Sequence, residues 1–74
     1  MTRLVPLTAR KVIRALERLG FVQDHQRGSH LHLKHPDGRI VTVPVHPGED
    51  LRKGTLRAII RDAGVSVEEF LEHT

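Results

Sequence analysis

The stretch "SHLHLKHPDGRIVTVPV", residues 29–45, decides the architecture. Apolar and polar residues alternate on both sides of "HPDG", and period two is the signature of a half-buried strand. Leu31 and Leu33 share one face of the first run, with Ser29 and His35 at its ends. His30, His32 and Lys34 share the other face. In the second run Val41, Val43 and Val45 line one face. "PDG", residues 36–38, carries turn chemistry, so the two runs predict an antiparallel pair. Pro44 has no N–H to give a ladder, which places the second run at a sheet edge or close to its end.

Working outward, "FVQDH" (21–25) predicts a short additional strand and "QRG" (26–28) the turn after it. Gly28 supplies a positive φ there, and without a side chain it also admits close approach of a substrate backbone. Before it, "TARKVIRALERLG" (8–20) predicts a helix with Thr8 as N-cap and Gly20 as its stop. Val12, Ile13, Leu16 and Leu19 form its apolar stripe, and Arg10, Lys11, Arg14, Glu17 and Arg18 its solvated side. Beyond the strands, "TLRAIIRDAG" (55–64) predicts a second helix with the stripe Leu56, Ile59, Ile60 and Ala63. Thr55 is the candidate cap and Gly64 the candidate end. "SVEEFLEHT" (66–74) opens with Ser66 and Glu69 at capping-box spacing and predicts a short last helix carrying Val67, Phe70 and Leu71.

The predicted order is helix, three strands, helix, short helix: a two-layer α+β domain with a three-stranded antiparallel sheet. The helices cover the leucine and valine face. His30, His32, Lys34 and Thr42 are left on an open polar face. At 74 residues the chain is read as one domain, residues 1–74, burying about 60% of its unfolded surface. It has no cysteine, which removes disulfides and thiolate metal sites from consideration. The first twenty residues carry charges throughout and no long apolar run. That predicts neither a membrane span nor a secretory signal, and a cytoplasmic protein.

Twelve Lys and Arg stand against nine Asp and Glu, a formal charge of +3. The excess suits an anionic partner such as nucleic acid, and equally an ordinary basic domain. Phe21 and Phe70 are the only aromatic residues of the Phe, Tyr and Trp class, and both sit in apolar segments. Base-stacking platforms are therefore excluded, and any RNA contact rests on phosphates, 2′-hydroxyls and shape.

Three chemistries compete for the histidines. His30 and His32, roughly 6.5 Å apart along one strand face, have chelating spacing. A zinc site needs a third or fourth protein ligand, and no spacing pattern announces His46, His73 or a carboxylate as one. No metal and no cofactor is therefore expected. Alternatively, histidine takes and gives protons near neutrality, so a strand offering His30, His32 and Lys34 has the group types for metal-free RNA cleavage. The third possibility is an exposed strand whose histidines do nothing. Arg52 and Lys53 precede a helix start, where free N–H groups favour phosphate, although Glu49 and Asp50 stand just upstream.

The segment from "LERLGF" (16–21) to "VEEFL" (67–71) resembles the HicA toxin family. The pieces that carry the resemblance are "GF", "RGSH", "HPDGR", "VTVPVH" and "KGTLRAIIRDAG", in this order and spacing. The resemblance implies a fold similar to a double-stranded-RNA-binding domain, α-β-β-β-α. It implies a toxin of a toxin–antitoxin pair that cleaves mRNA, and a HicB-type antitoxin that binds the toxin and masks its site. It singles out His30, the histidine of the Gly28-Ser29-His30 motif, as general acid or base. Arg27, Gly28, Ser29, Lys34, Arg52 and Lys53 are then the candidates for holding substrate. Concerted cleavage asks for a second proton-transfer group; His32 is available, and the residues give no ground for choosing it. A non-catalytic RNA-binding module and a protein-interaction domain remain the competing function classes.

Overall fold

The computed structural model describes residues 3–74. In chain order it contains β1 (Leu7–Thr8), α1 (Ala9–Arg18), β2 (Val22–Arg27), β3 (His30–Lys34), β4 (Ile40–Pro44), β5 (Asp50–Leu51), α2 (Lys53–Ala63) and α3 (Val67–Glu72). Strands β2, β3 and β4 form an antiparallel sheet in that order. Leu31 and Leu33 pair with Val43 and Val41, so both strands turn the same apolar face inward. Those four residues are buried with Val12, Ala15 and Leu16 of α1 and Leu56, Ile59, Ile60 and Ala63 of α2. This is the expected α+β two-layer arrangement with a short C-terminal helix. Pro44 ends β4, which is an edge strand.

Helix α1 is capped as its sequence predicts. The Lys11 N–H donates to Thr8 Oγ1 at 3.2 Å. At its other end Gly20 N–H donates to the Glu17 carbonyl at 3.0 Å, and Phe21 N–H to Leu16 at 2.9 Å. These two bonds make a Schellman motif, which needs a left-handed residue where Gly20 stands with φ 102°. The same glycine makes room for His35. A Cβ on Gly20 would lie 2.7 Å from His35 Nε2. His35 also meets Phe21 edge-on, with ring centroids 5.1 Å apart. Gly20→Ala is therefore expected to cost about 1–3 kcal/mol through the strained backbone, read as a lower Tm. A double variant with His35→Ala should recover only the part due to the clash. Full recovery would show that the φ carries no penalty.

The turn between β3 and β4 is locked from three sides by Arg39. Its Nε donates to Asp37 Oδ2 at 2.8 Å, its Nη1 to the Ala63 carbonyl, and its guanidinium lies 5.2 Å from the Phe21 ring centroid. A cation is thus set on the C-terminal carbonyl end of α2, where the helix dipole favours it. Arg39, first by hydrogen bonding, holds the Asp37 carboxyl below its ordinary value. A carboxyl lowered in the folded state contributes stability above the ordinary carboxylate range and loses it as pH falls through the folded value. The Tm difference between wild type and Asp37→Asn should therefore shrink on acidification. A difference independent of pH would deny the pairing any electrostatic role.

Three local features depart from the sequence reading. The strand before Gly28 continues through Gln26 and Arg27, and the turn is only Gly28–Ser29, since Arg27 pairs with His30. Gly28 has φ 59° and Ser29 has no positive φ, the pattern of a two-residue II′ hairpin that needs glycine first. Helix α2 starts at Lys53, with Arg52 as a cap that makes no side-chain bond, so Thr55 lies inside the helix. The β5 strand ends at Leu51 and delivers the chain directly into helical geometry; Leu56 N–H already reaches the Arg52 carbonyl at 2.9 Å. Finally, β1 pairs with β5 through Leu7↔Leu51 and Thr8↔Asp50. Two-residue strands have no periodicity to read.

Candidate active site

Strand β3 is the centre of the sheet, and the helices occupy one of its faces. Its burial alternates, with His30 and Lys34 exposed, His32 half-buried, and Leu31 and Leu33 inside. His30, His32 and Lys34 consequently stand side by side on the open face. The paired registers set three rows across it. His30 lies between Arg27 and Pro44, His32 between His25 and Thr42, and Lys34 between Val22 and Ile40.

His25 joins this face because of an irregularity. The register of β2 against β3 shifts between Gln23 and His25, leaving Asp24 as an extra residue. Such a bulge reverses the in–out alternation of everything after it. In strict alternation from Val22, which pairs with Lys34, positions 24 and 26 would share the open face. The bulge puts His25 and Arg27 there instead. Neither the sequence pattern nor the resemblance pointed to Asp24 or His25 as site residues. A local signal existed only in retrospect: "QDHQ" has no apolar residue, so no packing preference pinned its register.

A connected network crosses the face. Asp24 Oδ2 lies 2.7 Å from His25 Nδ1 and 3.7 Å from Lys34 Nζ. His25 stacks on His32 with centroids 4.5 Å apart and planes inclined by 16°. His32 Nδ1 lies 2.9 Å from Thr42 Oγ1. The Asp24 carboxyl is lowered, first by its hydrogen bond to His25 and also by the charge of Lys34. It is therefore an ionised acceptor, and the shared proton of the pair sits on His25 Nδ1. Among the described residues, His30 makes no side-chain hydrogen bond or ion pair, and neither does Arg27.

The remaining candidates fall in different places. Gly28 closes the hairpin beside His30, and a Cβ there would meet nothing within 4 Å, so the turn alone accounts for the glycine. The Ser29 carbonyl accepts from Val45 N–H at 2.6 Å, which ties the turn to the end of β4. Helix α2 packs along β4, and its last carbonyl meets Arg39 at that strand's start. The helix therefore begins toward the end where Gly28, Ser29 and Pro44 lie. Arg52 and Lys53 share that end of the molecule with His30 but belong to the helical layer. His35, the fourth histidine of the cluster, faces Gly20 and Phe21 and serves packing. Among the described residues no three His, Asp or Glu side chains gather as a metal ligand set. Nor is any helix among them long and apolar enough to cross a membrane.

A comparison with curated proteins finds none that matches the chain. A family model described as "HicA toxin of bacterial toxin-antitoxin" matches residues 9–65, from the start of α1 to the residue after the glycine that ends α2. That span includes the whole β2–β3–β4 sheet and its open face, and the chain belongs to the HicA toxin family.

Proposed function

We propose that this protein is the toxin of a type II toxin–antitoxin pair that cleaves mRNA in the cytoplasm without a metal, with His30 as a general acid or base. The reading rests on one observation above the others: His30 is exposed on the open face, at the hairpin end of the central strand, and has no internal partner among the described residues. His30 therefore has both ring nitrogens free for a substrate. Arg27 beside it and Lys34 two rows away are cations suited to phosphate. Arg52 and Lys53 extend the positive surface at the same end, and the Gly28–Ser29 turn leaves room for a backbone beside His30. Membership of the family implies a HicB antitoxin, and a partner covering the open face would block access to His30.

The test is cleavage of a mixed-sequence RNA by the purified chain in excess EDTA. Cleavage under those conditions, weakened steeply by added salt as phosphate contacts require, is the expected result. Binding without cleavage would assign the face to an RNA-binding module. Cleavage abolished by EDTA would return a metal to the mechanism.

A further inference from the structure

RNA transesterification needs one group to take the 2′-hydroxyl proton and another to protonate the departing 5′-oxygen. We propose that His25, held by Asp24, is the second proton-transfer group and acts as the base opposite His30. The inference rests on the role given to His30 above.

The geometry separates His25 from His32. The ionised Asp24 carboxylate accepts a hydrogen bond from His25 Nδ1–H at 2.7 Å, so the neutral ring carries its free lone pair on Nε2. The same carboxylate stabilises the imidazolium that forms once Nε2 has taken a proton, as the orienting carboxylate of a catalytic triad does. His32 has no carboxylate. Its Nδ1 meets the Thr42 hydroxyl at 2.9 Å, and its ring is half-buried beneath the His25 stack. His32 thus supports the plane of the His25 ring. His25 and His30 are diagonal neighbours across the β2–β3 ladder, since their partners are His32 and Arg27. Diagonal positions lie roughly 7–8 Å apart. That gap admits one phosphate between two imidazoles on opposite sides of phosphorus.

The step balances with these two groups. His25 Nε2 takes the 2′-hydroxyl proton as the 2′-oxygen bonds to phosphorus. The P–O5′ bond breaks, and His30, as imidazolium, gives its proton to O5′. The products are a 2′,3′-cyclic phosphate and a 5′-hydroxyl, and both histidines then exchange protons with water. Arg27 and Lys34 are the cations on this face for the phosphate charge. The charged and titratable groups around His25 are Asp24 and Arg27 on its own strand and His30, His32 and Lys34 on β3. From α1, Glu17 reaches Gln23, which pairs with Leu33 on the other face of the sheet.

The experiment is the pH–rate profile of RNA cleavage by the full chain carrying His25→Gln, Asp24→Asn, His32→Gln or His30→Ala. His25 and Asp24 are exposed, so folding is preserved and is checked by circular dichroism. The wild type should give a bell. His25→Gln should lower the rate about 10²- to 10⁴-fold and remove the acid limb. Asp24→Asn should lower it by about tenfold or more, because the ring loses the carboxylate that orients it and stabilises its imidazolium. His32→Gln should keep both limbs. A His25→Gln protein with the wild-type rate and bell overturns the inference, as does loss of the acid limb in His32→Gln instead. His30→Ala cleaving at full rate overturns the role of His30 while the His25 result still reads on its own. A wild-type chain that cleaves no RNA overturns both.

Discussion

His30→Ala should reduce RNA cleavage by about 10²- to 10⁴-fold, the usual contribution of one positioned proton-transfer group, and leave the melting temperature unchanged. The second half of that expectation matters as much as the first. His30 is exposed on a central strand and makes no side-chain hydrogen bond among the described residues. Removing it leaves no cavity and no orphaned partner, the two usual causes of a large stability loss. A fall in activity with an unchanged unfolding curve therefore reports chemistry or substrate contact. In cells, the variant expressed at wild-type level should no longer arrest growth. Full toxicity from His30→Ala would refute the assignment. His35→Ala is the contrasting case. His35 packs against Phe21 and Gly20, with its ring one fifth exposed. Any loss it causes should follow stability, and histidines five residues apart would then separate by readout.

Phe70→Ala should cost about 3–5 kcal/mol, a large share of the stability of a domain this small. Phe70 has no exposed surface and is the largest fully buried side chain. It is the only buried residue of α3, which is six residues long and could not persist alone. Helix α3 is capped by Ser66, whose Oγ accepts from Glu69 N–H at 3.0 Å. It is also tied to α1 where Arg18 Nη1 donates to the His73 carbonyl at 2.9 Å. Neither exposed bond replaces a buried phenyl ring. For a domain of 60–100 residues each kcal/mol moves Tm by roughly 4–8 °C, so thermal unfolding should show a drop in excess of 10 °C. A change below about 1 kcal/mol would mean that α3 is peripheral and that the core closes without it. The point bears on the family comparison, because α3 lies outside the matched residues 9–65 while its phenylalanine completes the core that those residues build.

The strength of the sequence signal tracked the amount of burial behind it. Leu31, Leu33, Val41 and Val43 each have an apolar reason to face inward, and the structure buries all four. The stripes of α1 and α2 are similarly enforced. Where burial gives no constraint, the reading slipped. Every residue of β2 is exposed, and its length, its turn and its bulge were all missed. The start of α2 was placed two residues late because Thr55 has the chemistry of a cap, while Arg52, which has none, holds the position. Arg39 and His35 flank the "PDG" turn in the sequence. Their tertiary partners, Ala63, Phe21 and Gly20, lie far along the chain or on another element.

For the site the division is similar. Alternation alone aimed His30, His32 and Lys34 away from the core, because flipping them would bury three polar side chains and expose Leu31 and Leu33. That much follows from one strand and the hydrophobic effect. The neighbours of His30 across the sheet were a tertiary matter. A single extra residue at Asp24 exchanges the faces of β2, carrying His25 and Arg27 onto the open surface and Asp24 into contact with both His25 and Lys34. Bulge position depends on how a whole polar strand settles against its partner, and no periodicity records it. The sequence therefore determined which strand face carries the histidines; only the packed sheet decided which of them stand together.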